Sequence, residues 1–203
     1  MLSGKLFLVT GLLVAAVSTP FAAFAQEGSP SESNTHLNFI VGQKMLDDKD
    51  WNKEFKAAGL PNLKTHTSFG LEATYGPGTW PVSIATDVLY SSASGKSTAL
   101  NRTVTGSTLE LGIGARKVFT LGMPIHPYVG GGLAYGSGAV TCSGCSSRAP
   151  SGTGFWVNGG AFYSLSRLNA GLGFRYSSIE GKDGNLERKV GGINVNALVG
   201  FGF

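Results

Sequence analysis

The sequence predicts an all-β fold, an eight-stranded antiparallel up-and-down β-barrel whose strands are transmembrane. Apolar residues recur at every second position in eight segments, which is the period of a β-strand with one apolar face. The connections between these segments alternate between short and long, as they do in membrane barrels. Charged residues make up only 14% of the chain, against roughly 25% in a typical soluble domain. The low charge favours a membrane barrel over a soluble sandwich.

The first 34 residues are predicted to lie outside the barrel. Lys5 precedes an apolar run, and Ala23 and Ala25 supply the two small residues of a cleavage site, so residues 1–25 are predicted to be a signal peptide for Sec-type export. A retained helical anchor is the alternative, which the shortness of the apolar run disfavours. Residues 26–34 are polar and lack periodicity, which indicates a flexible periplasmic lead.

The barrel is assigned to residues 35–203, and its strands are taken from apolar residues that share one face. The predicted strands lie at about 35–43, 66–75, 80–91, 104–119, 125–135, 154–164, 168–177 and 190–203. The fifth is rich in glycine, and its apolar face is assigned to Val129, Leu133 and Tyr135. No apolar run outside the N-terminus is long enough for a transmembrane helix, so a membrane protein of this sequence has to be a closed barrel.

The predicted connections sort into two kinds. The short ones are 76–79, 120–124 and 165–167, and the long ones are 44–65, 92–103, 136–153 and 178–189. Strict alternation of short and long is typical of a barrel with short periplasmic turns and long outer loops.

Composition predicts which face of each strand points outward. The second face consists of Gly, Ser, Thr and Asn with few ions, whereas a soluble exterior is roughly 25–35% charged. That face therefore suits a narrow lumen, and the apolar face is expected to contact lipid. Aromatic residues of the apolar face are predicted to form two interfacial girdles: Tyr75, Trp80, Tyr90, Phe119, Tyr128, Tyr135, Tyr163, Phe174 and Tyr176.

The few ions of the polar face are predicted to form a buried ion-pair network inside the barrel. Glu72, Asp87 and Glu110 would face Arg116 and Arg175 across the lumen. Eight strands enclose an interior that side chains just fill, which favours a network that plugs and rigidifies the barrel. A gated path for a small solute stays open as the alternative.

The last predicted strand carries an apolar face that runs to Phe201 and Phe203. It resembles the C-terminal signal strand of bacterial outer-membrane β-barrels, which the barrel-assembly machinery reads. With it, residues 35–203 resemble the small eight-stranded outer-membrane barrels of the outer-membrane protein A and outer-membrane protein W type. The resemblance implies a bacterial outer-membrane location, with outer-membrane lipid and lipopolysaccharide as partners.

The same resemblance implies three function classes. The favoured one is a non-enzymatic barrel with a structural or surface-interaction role, and the first alternative is a narrow channel for small or hydrophobic solutes. The second alternative is an enzyme that modifies outer-leaflet lipid. Lipid A deacylases of this shape place His and Ser close together, whereas here Pro127 and Tyr128 follow His126, which disfavours the enzyme.

The first long connection predicts a short amphipathic helix at 46–59. Its lysines Lys49, Lys53 and Lys56 are positioned to contact lipid phosphates if the helix lies on the membrane surface. The alternative is a solvated helix that packs on the barrel rim.

The remaining motifs predict little chemistry. Cys142 and Cys145 are close together in an exported chain, which favours a disulfide over a redox site or metal clip. His36, His66 and His126 lack metal-ligand spacing, so no metal site and no cofactor are predicted. The net charge of +4 is too small to indicate nucleic-acid binding, and the sequence leaves the oligomeric state open.

Overall fold

The structure is a computed structural model, and all the regular secondary structure in the residues that it describes is β-strand. It describes residues 35–46, 63–77, 80–97, 101–142, 149–184 and 186–203. The strands are β1 (His36–Leu46), β2 (Thr65–Tyr75), β3 (Ser83–Ser97), β4 (Arg102–Val118), β5 (Ile125–Cys142), β6 (Ser151–Leu165), β7 (Leu168–Asp183), β8 (Leu186–Lys189) and β9 (Gly192–Gly202). In the described part of the chain, no helix has both the length and the apolar character needed to cross a membrane.

The strands close into a ring of eight. Each strand from β1 to β7 pairs antiparallel with the next, and β9 pairs with both β7 and β1. The short strand β8 pairs with the end of β7 in the same register as β9, because Glu180 opposes Lys189 and Ser177 opposes Gly192. Strands β8 and β9 together therefore form the eighth strand of the ring, and the predicted eight-stranded antiparallel barrel is confirmed.

The stagger of the ring follows from the pairing. A path that starts at His36 and crosses each strand at its paired residue returns to β1 at Leu46, ten residues further along. The path runs through Thr74, Ala85, Gly114, Gly132, Trp156, Ser177 and Gly192. A stagger of this kind requires strands that are tilted relative to the barrel axis. It also decides which inward side chains meet across the lumen.

The two ends of the barrel differ. At the terminal end, β1 begins and β9 ends, and the Phe203 amide donates to the Thr35 carbonyl at 2.9 Å. At the opposite end, here called the loop end, the strands extend further than the sequence predicts. Strand β3 continues to Ser97, β5 to Cys142 and β7 to Asp183.

Much of the length predicted as loop is therefore paired β-structure. Only 98–101 separates β3 from β4, and only 184–185 separates β7 from β8. Asn101 and Gly184 turn these connections with positive φ angles of 47° and 60°. The alternation of apolar and polar residues fades where the outward face becomes polar and the inner face is largely small residues. Strand pairing continues there, so periodicity underestimates the length of the strands.

The two faces of the barrel are arranged as predicted. Apolar side chains such as Phe39, Val41 and Leu71 are about half exposed on the outside, whereas polar residues at alternate positions are buried inside. Lipid can cover the apolar exterior, which forms a belt around the barrel. This belt is the surface that a membrane requires.

Tyr128 is the exception, and its predicted place in an aromatic girdle was wrong. Its side chain is only 4% exposed and lies in the lumen. Successive residues of a strand point to opposite faces, and Val129 is exposed on the outside. Tyr128 and Val129 are neighbours on β5 and cannot share a face.

Candidate functional site

The candidate site is the lumen, where the structure places all five charged residues predicted to lie inside. Glu72 is on β2, Asp87 on β3, Glu110 and Arg116 on β4, and Arg175 on β7, and each is at most 6% exposed. They occupy inward positions of their strands because each alternates with an apolar residue of the outer belt.

Arg116 and Glu72 form a bidentate ion pair. The two guanidinium nitrogens Nη1 and Nη2 each donate to one carboxylate oxygen at 2.7 Å. Arg116 Nη1 also donates to Thr74 Oγ1 at 2.9 Å, and Asn38 Nδ2 donates to Glu72 Oε1 at 3.1 Å. The guanidinium carbon lies 4.8 Å from the centre of the Tyr128 ring, a cation–π distance. Both oxygens of this buried carboxylate therefore accept hydrogen bonds.

Arg175 contacts two carboxylates instead of one. Its Nη1 donates to Asp87 Oδ2 at 2.5 Å, and its Nη2 lies 3.5 Å from Glu110 Oε2. The guanidinium carbon lies 4.9 Å from the centre of the Trp156 ring. Among the described residues, Asp87 Oδ1 and Arg175 Nη2 have no hydrogen-bond partner, and the Nε of both arginines lacks one. This group is therefore less completely hydrogen-bonded than the pair of Arg116 and Glu72.

Lys44 is a charged residue of the lumen that the sequence prediction missed. It was assigned to the first long connection, but it belongs to β1 and is 3% exposed. Its Nζ forms an ion pair with Glu110 and donates to Thr108 Oγ1 and to the Val190 carbonyl, each at 2.9 Å. The alternation of side chains along a strand could have revealed it. Lys44 lies six positions after Asn38 on β1, so the two side chains point to the same, inward face.

With Lys44 included, the charges of the network balance. Among the described residues, the network pairs three cations with three carboxylates, and the Ser177 hydroxyl donates a further hydrogen bond to Glu110 at 3.0 Å. An unpaired ion in such an interior lowers the free energy of unfolding by several kcal/mol. Equal numbers of cations and carboxylates are therefore expected in a closed lumen.

The rest of the lumen is filled by packed side chains. One apolar cluster consists of Ile40, Leu89, Val118, Tyr128, Phe162 and Leu198, and a second of Ala85, Ala134, Trp156, Ile179 and Val190. Two voids lie beside the ion pairs, with cavity volumes of about 0 and about 10 Å³. One water molecule needs about 10–15 Å³, so neither void admits a solute larger than water.

The three histidines do not form one cluster: His36 and His126 both pack on the Phe162 ring, whereas His66 lies beside Ser91. His66 Nδ1 is 3.1 Å from Ser91 Oγ, and His36 Nδ1 is 3.1 Å from Asn169 Nδ2. The ring of His126 stacks on Phe162 with 5.4 Å between centroids. No group of His, Cys, Asp and Glu in the described residues is arranged to hold a metal ion.

Several predicted features lie outside the described residues. These are the signal peptide 1–25, the lead 26–34, the loop helix at 46–59 beyond Leu46, with Lys49, Lys53 and Lys56, and Cys145 together with the side chain of Cys142. The disulfide and the lipid-phosphate contacts remain predictions. Phe201 and Phe203 point outward and are 54% and 58% exposed, and their role in assembly also remains a prediction.

Comparison with known proteins agrees with this geometry. The sequence matches the family described as "Outer membrane protein beta-barrel domain" over residues 10–201. The chain belongs to this family. It is therefore a bacterial outer-membrane β-barrel protein in a membrane-lipid environment, and small barrels of this family are mostly non-enzymatic. No curated protein matches the sequence.

Solved structures with the same fold are distant in sequence. Neisserial surface protein A has a TM-score of 0.63 and 17% identity, covering 87% of this chain and 100% of its own. The outer membrane protein OprG from Pseudomonas aeruginosa has a TM-score of 0.58 and 12% identity, covering 84% and 97%. The attachment invasion locus protein of Yersinia pestis was solved with the heparin analogue sucrose octasulfate. It has a TM-score of 0.55 and 12% identity, covering 84% of this chain and 98% of its own. Identities this low show the fold alone.

Proposed function

We propose that the protein is a non-enzymatic outer-membrane barrel with a closed lumen, and that it acts as a rigid scaffold with a structural or surface-interaction role. The observation that carries this proposal is the filled interior. Six charges balance one another in pairs, and the adjacent voids do not exceed about 10 Å³. A solute path would need an opening that these side chains occupy.

The ion pairs connect strands that are not neighbours in the ring. Lys44 on β1 reaches Glu110 on β4, and Arg175 on β7 reaches Asp87 on β3. Such contacts join opposite walls of the barrel and resist changes in its cross-section. Removing one partner of a buried pair costs about 3–5 kcal/mol, so the network also favours a single arrangement of the lumen.

A surface role is supported by the loop end. The strands continue past the apolar belt as paired sheet, which holds the outermost residues on an ordered support. Two barrels of the same fold are named as a surface protein and as an attachment invasion protein. This likeness is at the level of fold, and one fold hosts many functions.

The closed lumen is tested by single-channel recording with the full chain folded into planar lipid bilayers. We expect no ohmic current from the wild-type protein. We also expect Arg175→Ala to lower the urea unfolding midpoint without producing a current. Lys182→Ala is the control, because Lys182 is 67% exposed in its side chain and lies outside the lumen. A clear ohmic current from the wild-type monomer would contradict the proposal.

The second candidate function is a narrow gated channel. It rests on one observation: a void of about 10 Å³, the size of one water molecule, lies beside the pair of Arg175 and Asp87, where a displaced side chain would enlarge it. In a gated channel the pair of Arg175 and Asp87 is the barrier. Arg175→Ala would then open a measurable current, whereas in the closed scaffold the same variant only loses stability.

A further inference from the structure

The outer surface of β3 to β6 carries an unusual patch at the loop end. Eleven outward positions lie beyond the apolar belt on these strands, and nine of them bear a hydroxyl group. The nine, called here the hydroxyl face, are Ser92, Ser94, Thr103, Thr105, Ser107, Ser137, Thr141, Ser151 and Thr153. The other two positions are Lys96 and Ala139.

Strand register makes the hydroxyl face continuous. Ser94 opposes Thr105, which in turn opposes Thr141 on the next strand. The hydroxyl oxygens of Ser94 and Thr105 lie 2.8 Å apart. Ser92 opposes Ser107, and Ser137 opposes Ser151. The hydroxyl groups therefore form one patch across four strands.

The hydroxyl face begins where the apolar belt ends. On β3 the last outward residue of the belt is Tyr90, and on β5 it is Tyr135. The next outward residue, two positions on and about 7 Å along the strand, is a serine in both cases. Leu109 on β4 and Phe155 on β6 mark the same boundary. Aromatic residues at a belt edge mark the level where acyl chains give way to headgroups.

The adjacent flank of the loop end has a different chemistry, and it begins where Ser151, at the edge of the hydroxyl face, opposes Lys182 on β7. The outward residues of β7 and β8 beyond the belt include Glu180, Lys182, Glu187 and Lys189. Lys182 Nζ and Glu187 Oε1 form an exposed ion pair at 2.7 Å. Charged side chains are the usual solution for sheet that faces water, so the neutral hydroxyl face needs another explanation.

We propose that the hydroxyl face binds the sugar headgroup of the outer-leaflet lipid whose acyl chains pack on the belt directly below it. The lipid that contacts Tyr90 and Tyr135 continues past them, so its headgroup lies beside Ser92 and Ser137. Hydroxyl groups both donate and accept hydrogen bonds, which matches a headgroup rich in hydroxyls, such as that of lipopolysaccharide. This contact is neutral, and it does not depend on whether the lumen conducts.

A neutral contact has a recognisable dependence on salt. Salt screens exposed charges, whereas hydrogen bonds between hydroxyl groups carry no net charge to be screened. Binding through lysines would therefore weaken between 50 and 500 mM salt, and binding through the hydroxyl face should persist.

The test compares the full chain in vesicles of phosphatidylcholine alone and in vesicles that also contain lipopolysaccharide. The thermal unfolding midpoint is followed by the loss of the β-sheet circular dichroism signal. We expect lipopolysaccharide to raise the wild-type midpoint at both salt concentrations. The variant Ser94→Ala/Thr105→Val/Thr141→Val should lose at least half of this rise while its midpoint in phosphatidylcholine stays close to that of the wild type.

Thr86→Val is the matched control. Thr86 is exposed in the middle of the belt, so the same loss of a hydroxyl should leave the lipopolysaccharide-dependent rise intact. If the triple variant does not insert, Thr141→Val at an exposed position is measured in the same way and should lose part of the rise.

Three outcomes would overturn the proposal. The first is a full rise in the hydroxyl variants. The second is a wild-type rise that high salt abolishes, which would assign the contact to charged residues. The third is a wild-type midpoint that depends on protein concentration and not on lipopolysaccharide, which would mean that a second copy of the chain covers the face.

Discussion

The two arginines of the lumen have similar surroundings but unequal hydrogen bonding. Arg116 and Arg175 are both buried, and each lies over an aromatic ring at nearly the same distance, 4.8 and 4.9 Å. Arg116 places both of its terminal nitrogens on the one carboxylate of Glu72. Arg175 divides its terminal nitrogens between two carboxylates, at 2.5 and 3.5 Å.

The difference arises from the number of partners that share each carboxylate. Among the described cations, Arg116 alone forms an ion pair with Glu72, whereas Lys44 and Arg175 share Glu110. Bidentate pairing adds geometric specificity and strength, and a divided guanidinium lacks it. We therefore expect the Arg116 side chain to be held in one position more firmly than that of Arg175, which borders the void of about 10 Å³.

The largest effect is expected from Arg116→Ala. Glu72 would be left buried with no cation of its own, and breaking a buried pair costs up to about 5 kcal/mol. Urea unfolding in lipid vesicles would measure the loss. Arg116→Lys is the control, since it keeps the charge but cannot pair in a bidentate way, and it should lose less. Equal losses for the two variants would contradict the contribution of the charge, and a Lys variant as stable as the wild type would contradict the importance of bidentate geometry.

Arg175→Ala is expected to cost less than Arg116→Ala, about 3 kcal/mol at the lower end of the same range. Glu110 keeps its ion pair with Lys44 in this variant, so only Asp87 loses its cation. The same unfolding experiment measures it. A loss that exceeds that of Arg116→Ala would reverse the order of the two arginines.

Lys44→Met should destabilise the barrel by about 1–3 kcal/mol, the usual cost of leaving a buried polar group without its partner. Glu110 would retain the Ser177 hydroxyl and the more distant Arg175. The double variant Lys44→Met/Glu110→Gln should recover part of this loss, because the uncompensated charge disappears. Additive losses in this double-mutant cycle would mean that the two residues do not interact.

The smallest effect is expected outside the lumen, at the exposed pair of Lys182 and Glu187. The hydrogen bond from Lys182 holds the pKa of Glu187 below its ordinary value, and the same bond raises the pKa of Lys182. The stabilisation from Glu187 is present above its unfolded pKa and is lost as the pH falls through the lowered value. That from Lys182 is present below its unfolded pKa and is lost as the pH rises through the raised value.

An NMR titration of the Glu187 carboxyl measures this pair. In Lys182→Ala the pKa of Glu187 should rise towards its ordinary value, and the unfolding midpoint at neutral pH should change little because surface pairs contribute little. An unchanged Glu187 pKa would show that the two side chains are not paired in solution.

The sequence by itself determined the number of strands and the faces of most residues. Glu72 and Arg116 could be placed in the lumen because side chains alternate between the two faces of a strand. This alternation is local and does not depend on how the strand pairs with its neighbours. The same rule would have placed Tyr128 inside, since Val129 is its neighbour. It would also have placed Lys44 inside had the first strand been extended by one residue.

Only the tertiary structure decided how far the strands extend and which charges meet. The loop-end parts of β3 to β7 carry polar residues on their outward faces and small or polar residues on much of the inner side, so no contrast marks them in the sequence. The partners were decided by ring closure. A stagger of ten residues brings β4 opposite both β1 and β2, so that Glu110 meets Lys44 and Arg116 meets Glu72. Register across eight strands is a property of the closed ring, and no single segment encodes it.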